Sequence, residues 1–71
     1  MRKFLVTFHK VVNDDTGHDH AVVQQRRELR APSEVSALYE AKALFCRHMG
    51  IVDWRLRADT CDVAEIVDLA A

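Results

Sequence analysis

A small two-layer α+β sandwich of element order β-β-α-β-β is predicted by three features of this sequence. The first 31 residues hold two runs of alternating apolar and polar side chains, separated by a segment of turn-forming residues. A helical pattern follows between Ser33 and Gly50, and two short alternating runs close the chain. One helix covers only one face of a sheet, so a mainly antiparallel sheet with a second, open face is the arrangement this order implies. The 71 residues, with one Pro, two Gly and no linker or repeat, make a single domain spanning 1–71.

Strand one is expected over about 2–12, where Phe4, Val6, Phe8 and Val12 share one face and Lys3, Thr7 and His9 the other. Residues 13–20, Asn-Asp-Asp-Thr-Gly-His-Asp-His, are turn formers throughout and make a hairpin loop. Strand two then spans 21–31. A hairpin centred on Thr16 and Gly17 pairs Phe4 with Leu29, Phe8 with Gln25 and Val12 with Ala21, placing Val23 and Leu29 on the core face and leaving Leu5, Val11 and Val22 outside.

Pro32-Ser33 ends that strand, and the Ser33 hydroxyl is a natural N-cap for a helix over 34–49. Val35, Leu38, Ala41, Phe45 and Met49 keep the spacing of a buried stripe, which Ala37 and Leu44 widen. Glu34 in the first turn and Arg47 and His48 in the last suit the helix dipole, and Gly50 provides the left-handed stop. Beyond it, Val52, Trp54 and Leu56 alternate with Asp53, Arg55 and Arg57 as a third strand, with Trp54 in the core. A fourth strand over about 62–67 completes the sheet, in spatial order 2-1-3-4 if the crossover through the helix is right-handed.

The open face predicted in this way is rich in arginine. Lys3, Thr7, His9, Gln24, Arg26, Glu28 and Arg30 would be joined there by Asp53, Arg55 and Arg57. Clustered guanidinium groups bind phosphates bidentately and stack on bases, so Arg26, Arg30, Arg55 and Arg57, with His9, are candidate contacts for nucleic acid. Charge distribution agrees only in part. Residues 1–57 carry ten Lys or Arg against seven acids, residues 58–71 carry four acids and no base, and the whole chain is at −1. Sheets that read single strands also display aromatics on the binding face, and here the aromatics fall on the core face.

Other chemistries find little support. His18 and His20, two apart in a loop, and Cys61 are the candidate metal ligands, yet no paired C-x₂-C or H-x₃-H spacing accompanies them. Cys46 and His48 lie roughly 200° apart on a helix and cannot share an ion. Cys46 also sits in the last turns, where the dipole opposes a thiolate. Two glycines cannot build a phosphate loop, and Asp14 and Asp15 occupy a turn that would not hold them to a catalytic geometry. No cofactor and no membrane partner is expected, and no apolar run reaches the ~18 residues of a membrane helix. No cleavable leader is expected, since the apolar run Phe4-Leu5-Val6 turns polar by Thr7, and a reducing cytoplasmic setting is the expected one for two cysteines.

A chain this short has a thin core, and sharing that core with a second copy is the usual remedy. The expectation is a binding or assembly module, homodimeric and without catalysis of its own. A nucleic-acid-binding accessory domain is the alternative, and an enzyme subunit with an inter-subunit site using His18, His20 or Cys61 the third reading.

Overall fold

In the computed structural model, which describes residues 1–67, the alternation of Phe4, Val6 and Phe8 turns all three side chains to one face of β1 (Arg2–Asn13), where each is fully buried. β2 (Asp19–Ala31) returns antiparallel on one side and β3 (Thr60–Glu65) pairs antiparallel on the other, giving the order β2-β1-β3. α1 (Glu34–Met49) packs on the face that carries the phenylalanines. The molecule is thus the α+β sandwich of sheet and single helix that the sequence implies. Asp68, the last acid of the C-terminal segment, lies outside the described residues.

Both helix ends form as their residue types dictate. Ser33 Oγ accepts from the Ser36 amide, and Gly50 adopts φ 68°, letting the amides of Gly50 and Ile51 return to the carbonyls of Arg47 and Cys46. The buried side of α1 is Ala37, Ala41 and Phe45, with Leu38 half-buried beside them. The Phe45 ring stacks on Phe8, with centroids 4.2 Å apart and planes 13° from parallel. Two alanines and one phenylalanine facing three strands bring the layers close, and the molecule is only 16 Å thick along its shortest axis. Val35 and Met49, expected in this stripe, lie outside it. α1 has apolar residues on two sides, and spacing by itself does not decide which side turns inward.

The expected third strand is absent, and residues 60–65 occupy the place beside β1. Asp53 caps a single turn of 3₁₀ helix, Trp54–Leu56, its carboxylate accepting from the Arg55 amide at 3.0 Å. A short polar side chain that bonds its own backbone two residues on competes with strand formation, and three alternating apolar residues do not outweigh it. Trp54 still reaches the core, edge-on to Phe8 at 5.9 Å, while Val52 and Leu56 are left exposed. β3 begins after Asp59 has closed the neighbouring edge of β1. The Asp59 amide donates to His9 O at 2.7 Å, and its carboxylate accepts from Val11 N at 2.6 Å.

Pairing of β1 with β2 follows the expected register from Phe4–Leu29 to Phe8–Gln25 and then slips by one residue. His9 pairs with Val23, Val12 with His20 rather than Ala21, and Gln24 is the extra residue of a β-bulge. Its side-chain amide donates to the Arg57 carbonyl at 2.9 Å, tying the bulge to the segment after the 3₁₀ turn. The slip exchanges faces: Val23 joins Val11 and His9 on the open side, and Val22 joins Val12 on the helix side. Beyond the bulge the two strands run on as a ribbon that the helix does not cover, and Val11, Val12, Val22 and Val23 are all exposed there. The radius of gyration, 13.9 Å, exceeds the roughly 11 Å of a compact chain this long.

Candidate functional site

On the open face, alternation along β1 presents Lys3, Leu5, Thr7, His9 and Val11 in a central row. Pairing sets Arg30, Glu28, Arg26 and Val23 along one side, and Ala64, Asp62 and Thr60 along the other. Two contacts tie down part of this surface. Lys3 Nζ lies 3.1 Å from Glu28, and His9 Nδ1 lies 3.2 Å from Asp62 Oδ2. Arg26 and Arg30 form no ion pair among the described residues.

The four arginines grouped by the sequence pattern do not share this surface. Arg26 and Arg30 are on it, whereas Arg55 and Arg57 belong to the segment around the 3₁₀ turn, which packs in the helix layer through Trp54. Arg55 is also engaged by Asp53 through Nε at 3.3 Å and Nη2 at 2.9 Å, which raises its pKa and holds the Asp53 carboxyl below its ordinary range. The cause of the split is the 3₁₀ turn that replaces the third strand.

Nor do the candidate ligands His18, His20 and Cys61 meet. His18 and His20 stand at the hairpin tip, each with a local partner: His18 Nδ1 is 2.8 Å from Thr16 Oγ1 and His20 Nε2 is 2.7 Å from Asp14 Oδ2. Asp14 organises this turn, its Oδ1 accepting from the Thr16 hydroxyl, the Thr16 amide and the His18 amide. Those hydrogen bonds, the Thr16 hydroxyl first and His20 second, hold its carboxyl far below the usual carboxylate range. Cys61 sits opposite Phe8 on the helix-covered face, about 17 Å of strand away from Asn13, where the tip begins. Burial raises the Cys61 thiol pKa, and the nearby Lys42 offsets only part of that. His9, one residue on from Phe8, faces the opposite side of the sheet, so no imidazole backs the thiol. Among the described residues no three His, Cys, Asp or Glu side chains converge on a point where they could hold a metal ion.

A feature not foreseen from the sequence lies on the outer side of α1. Tyr39, Lys42, Ala43 and Cys46 form one wall of a shallow groove of about 330 Å³, and Val52, Asp53 and Trp54 form the other. Lys42 Nζ lies 5.0 Å over the Trp54 ring. Tyr39 is 79% exposed and Val52 95% exposed, well above what apolar side chains with a structural role retain. The signal for this groove was present in the sequence as a second apolar stripe on the helix, Val35, Tyr39, Ala43 and Cys46.

The class so defined is a three-stranded antiparallel sheet covered on one side by a single helix, with a bare ribbon extending past it. No family model, no curated protein and no solved structure shows significant similarity to this chain.

Proposed function

We propose that this protein is a small binding and assembly module that associates with a second copy of itself and performs no chemistry of its own. The observation that carries this reading is the distribution of apolar side chains. Among the described residues the fully buried apolar set is Phe4, Val6, Phe8, Ala31, Ala37, Ala41, Phe45 and Ala58, half of it alanine. Larger apolar side chains are left in solvent on the ribbon, on the outer side of α1 and around the 3₁₀ turn, in contiguous groups rather than singly. Grouped exposure of this kind marks a protein-binding surface. Two free cysteines on separate elements fit a reducing cytoplasmic setting, where we place its action.

Arg26 and Arg30, on the open face and without an ion pair among the described residues, favour a second reading, an accessory domain that binds single-stranded nucleic acid. Without Arg55 and Arg57, and with no aromatic on that face, it has less behind it.

Two measurements separate these. Sedimentation velocity from about 1 µM to about 1 mM should show a concentration-dependent monomer–dimer equilibrium. A monomer throughout that range would overturn the assembly reading. Titration with single-stranded oligonucleotides should show no binding with a steep salt dependence. Binding that weakens with salt and is lost in Arg26→Glu/Arg30→Glu would move the second reading to first place.

A further inference from the structure

The outer side of α1 carries charge as well as apolar surface, in a pattern that complements itself. Val35, Tyr39, Ala43 and Cys46 follow one another at intervals of four, four and three along one side of the helix, opposite the buried Ala37, Ala41 and Phe45. Val35 and Tyr39 are nearly bare, at 77% and 79% exposure. Glu40 and Arg47 lie together on one flank of this stripe. They are seven residues apart, two turns or about 10.5 Å along the axis, and neither forms an ion pair among the described residues. On the other flank the groove opens between Lys42 and Cys46 on one side and Val52 and Trp54 on the other.

We infer that this stripe is the self-association surface, with two copies of α1 crossing antiparallel about a twofold axis at Ala43. The inference rests on the assembly reading above and assigns it a place. A twofold axis perpendicular to two antiparallel helices brings each flank against the same flank of its mate. Glu40, three residues before Ala43, therefore meets the second copy's Arg47, four residues after it, and the contact occurs twice. Tyr39, four residues before, meets the second copy's Cys46, three residues after, and its ring enters the groove bordered there by Val52 and Trp54. An aromatic anchor in a pocket, ringed by paired charges, is how small interfaces concentrate their affinity. Ala43 at the crossing point allows the two backbones to approach, as a larger side chain would not.

Other surfaces fit a second copy less well. The free edge of β2 is interrupted by the bulge at Gln24, which twists an edge away from pairing, and β3 is only six residues long and carries the charged Asp62 and Glu65.

A charge exchange tests the assignment, with folding of each variant confirmed by circular dichroism. In sedimentation velocity, Glu40→Arg and Arg47→Glu should each weaken dimerisation by about tenfold or more, because each creates two like-charge contacts across the axis. The double variant Glu40→Arg/Arg47→Glu should recover to within about threefold of the parent, a rescue that repair within one helix cannot supply at this separation. Ala43→Glu should abolish the dimer, and Ala43→Cys, in a background with Cys46→Ser and Cys61→Ser, should form an intermolecular disulfide faster than Arg26→Cys in the same background. A parent dimer indifferent to Glu40→Arg, Arg47→Glu and Ala43→Glu, or a double variant as weak as the singles, overturns the placement on α1 while leaving the assembly reading intact. A parent chain that stays monomeric overturns both.

Discussion

The two ends of the β1–β2 ribbon are built from the same two strands and fare differently. Between Phe4 and Phe8 each inward side chain meets α1 or β3, and none is exposed to solvent. Between Lys10 and Asn13 the strands keep their ladder and lose their cover, and four valines stay exposed. Backbone pairing is equally regular in both halves, so hydrogen bonds alone do not distinguish them. What differs is burial of apolar surface, the term that supplies most of the stability of a small domain. One half should therefore respond globally to mutation and the other locally.

Phe45→Ala tests this most severely. Removing a fully buried ring that stacks on Phe8 should cost about 3–5 kcal/mol, enough to unfold much of a domain this small. Val12→Ala and Val22→Ala on the ribbon should each stay within about 1 kcal/mol by urea denaturation. If the valines cost as much as Phe45, the ribbon is part of the core after all.

The two glycines provide a matched pair. Gly50 has φ 68° and Gly17 φ 85°, and a Cβ at either would meet nothing within 4 Å, so substitution adds backbone strain and little else. Gly50→Ala should lower global stability by about 1–2 kcal/mol, the cost of a left-handed alanine. Gly17→Ala carries the same local cost, but amide exchange should record it at the ribbon tip with the core amides unchanged.

A smaller effect of opposite sign is expected under the helix. Gln25 Oε1 and Arg27 Nε are buried on the inner face without a hydrogen-bond partner among the described residues. Arg27→Met keeps the apolar stem and removes an unsatisfied donor, so it should be neutral or stabilising by about 0.5–1 kcal/mol. A loss of stability would show that the guanidinium is satisfied in solution.

The smallest effect is a local one with pH. Since folding lowers the Asp14 pKa, its contribution to the tip is complete above the unfolded carboxylate range near ~4 and is lost as the pH falls below it. Acid should loosen the Thr16 and His18 amides before the strands melt, and Asp14→Asn should flatten that response. Asp53 and Glu65 are shifted in the same direction by Arg55 and Arg2, so global acid unfolding reports on them as well, and the test must be read at the tip amides.

Most of the covered half was legible. The Phe4–Leu29 and Phe8–Gln25 pairs follow from alternation plus a turn of evident composition, and both helix ends follow from Ser33 and Gly50. The bulge was not, because two consecutive glutamines carry no pattern that marks one of them as extra, and the contact that holds Gln24 comes from Arg57, far along the chain. Val52, Trp54 and Leu56 suggested a strand because three residues of alternation are too few to separate an extended run from a capped turn. That misreading moved Arg55 and Arg57 onto the wrong layer, and half of the arginine surface went with them. The outer stripe of α1 was visible as composition but not as a site, since Val35 fits the buried and the outer side of a helix equally on paper.

The bulge at Gln24 also sets a rule of parity for this chain. Substituting any one valine of the ribbon alters a side chain, whereas drawing Gln24 into the ladder would turn Val22 outward and Val23 inward, along with every neighbour out to the tip. Whether Gln24 stands outside the ladder or within it, rather than the composition of β2, is thus the shortest route by which this molecule could acquire a different surface without a different core.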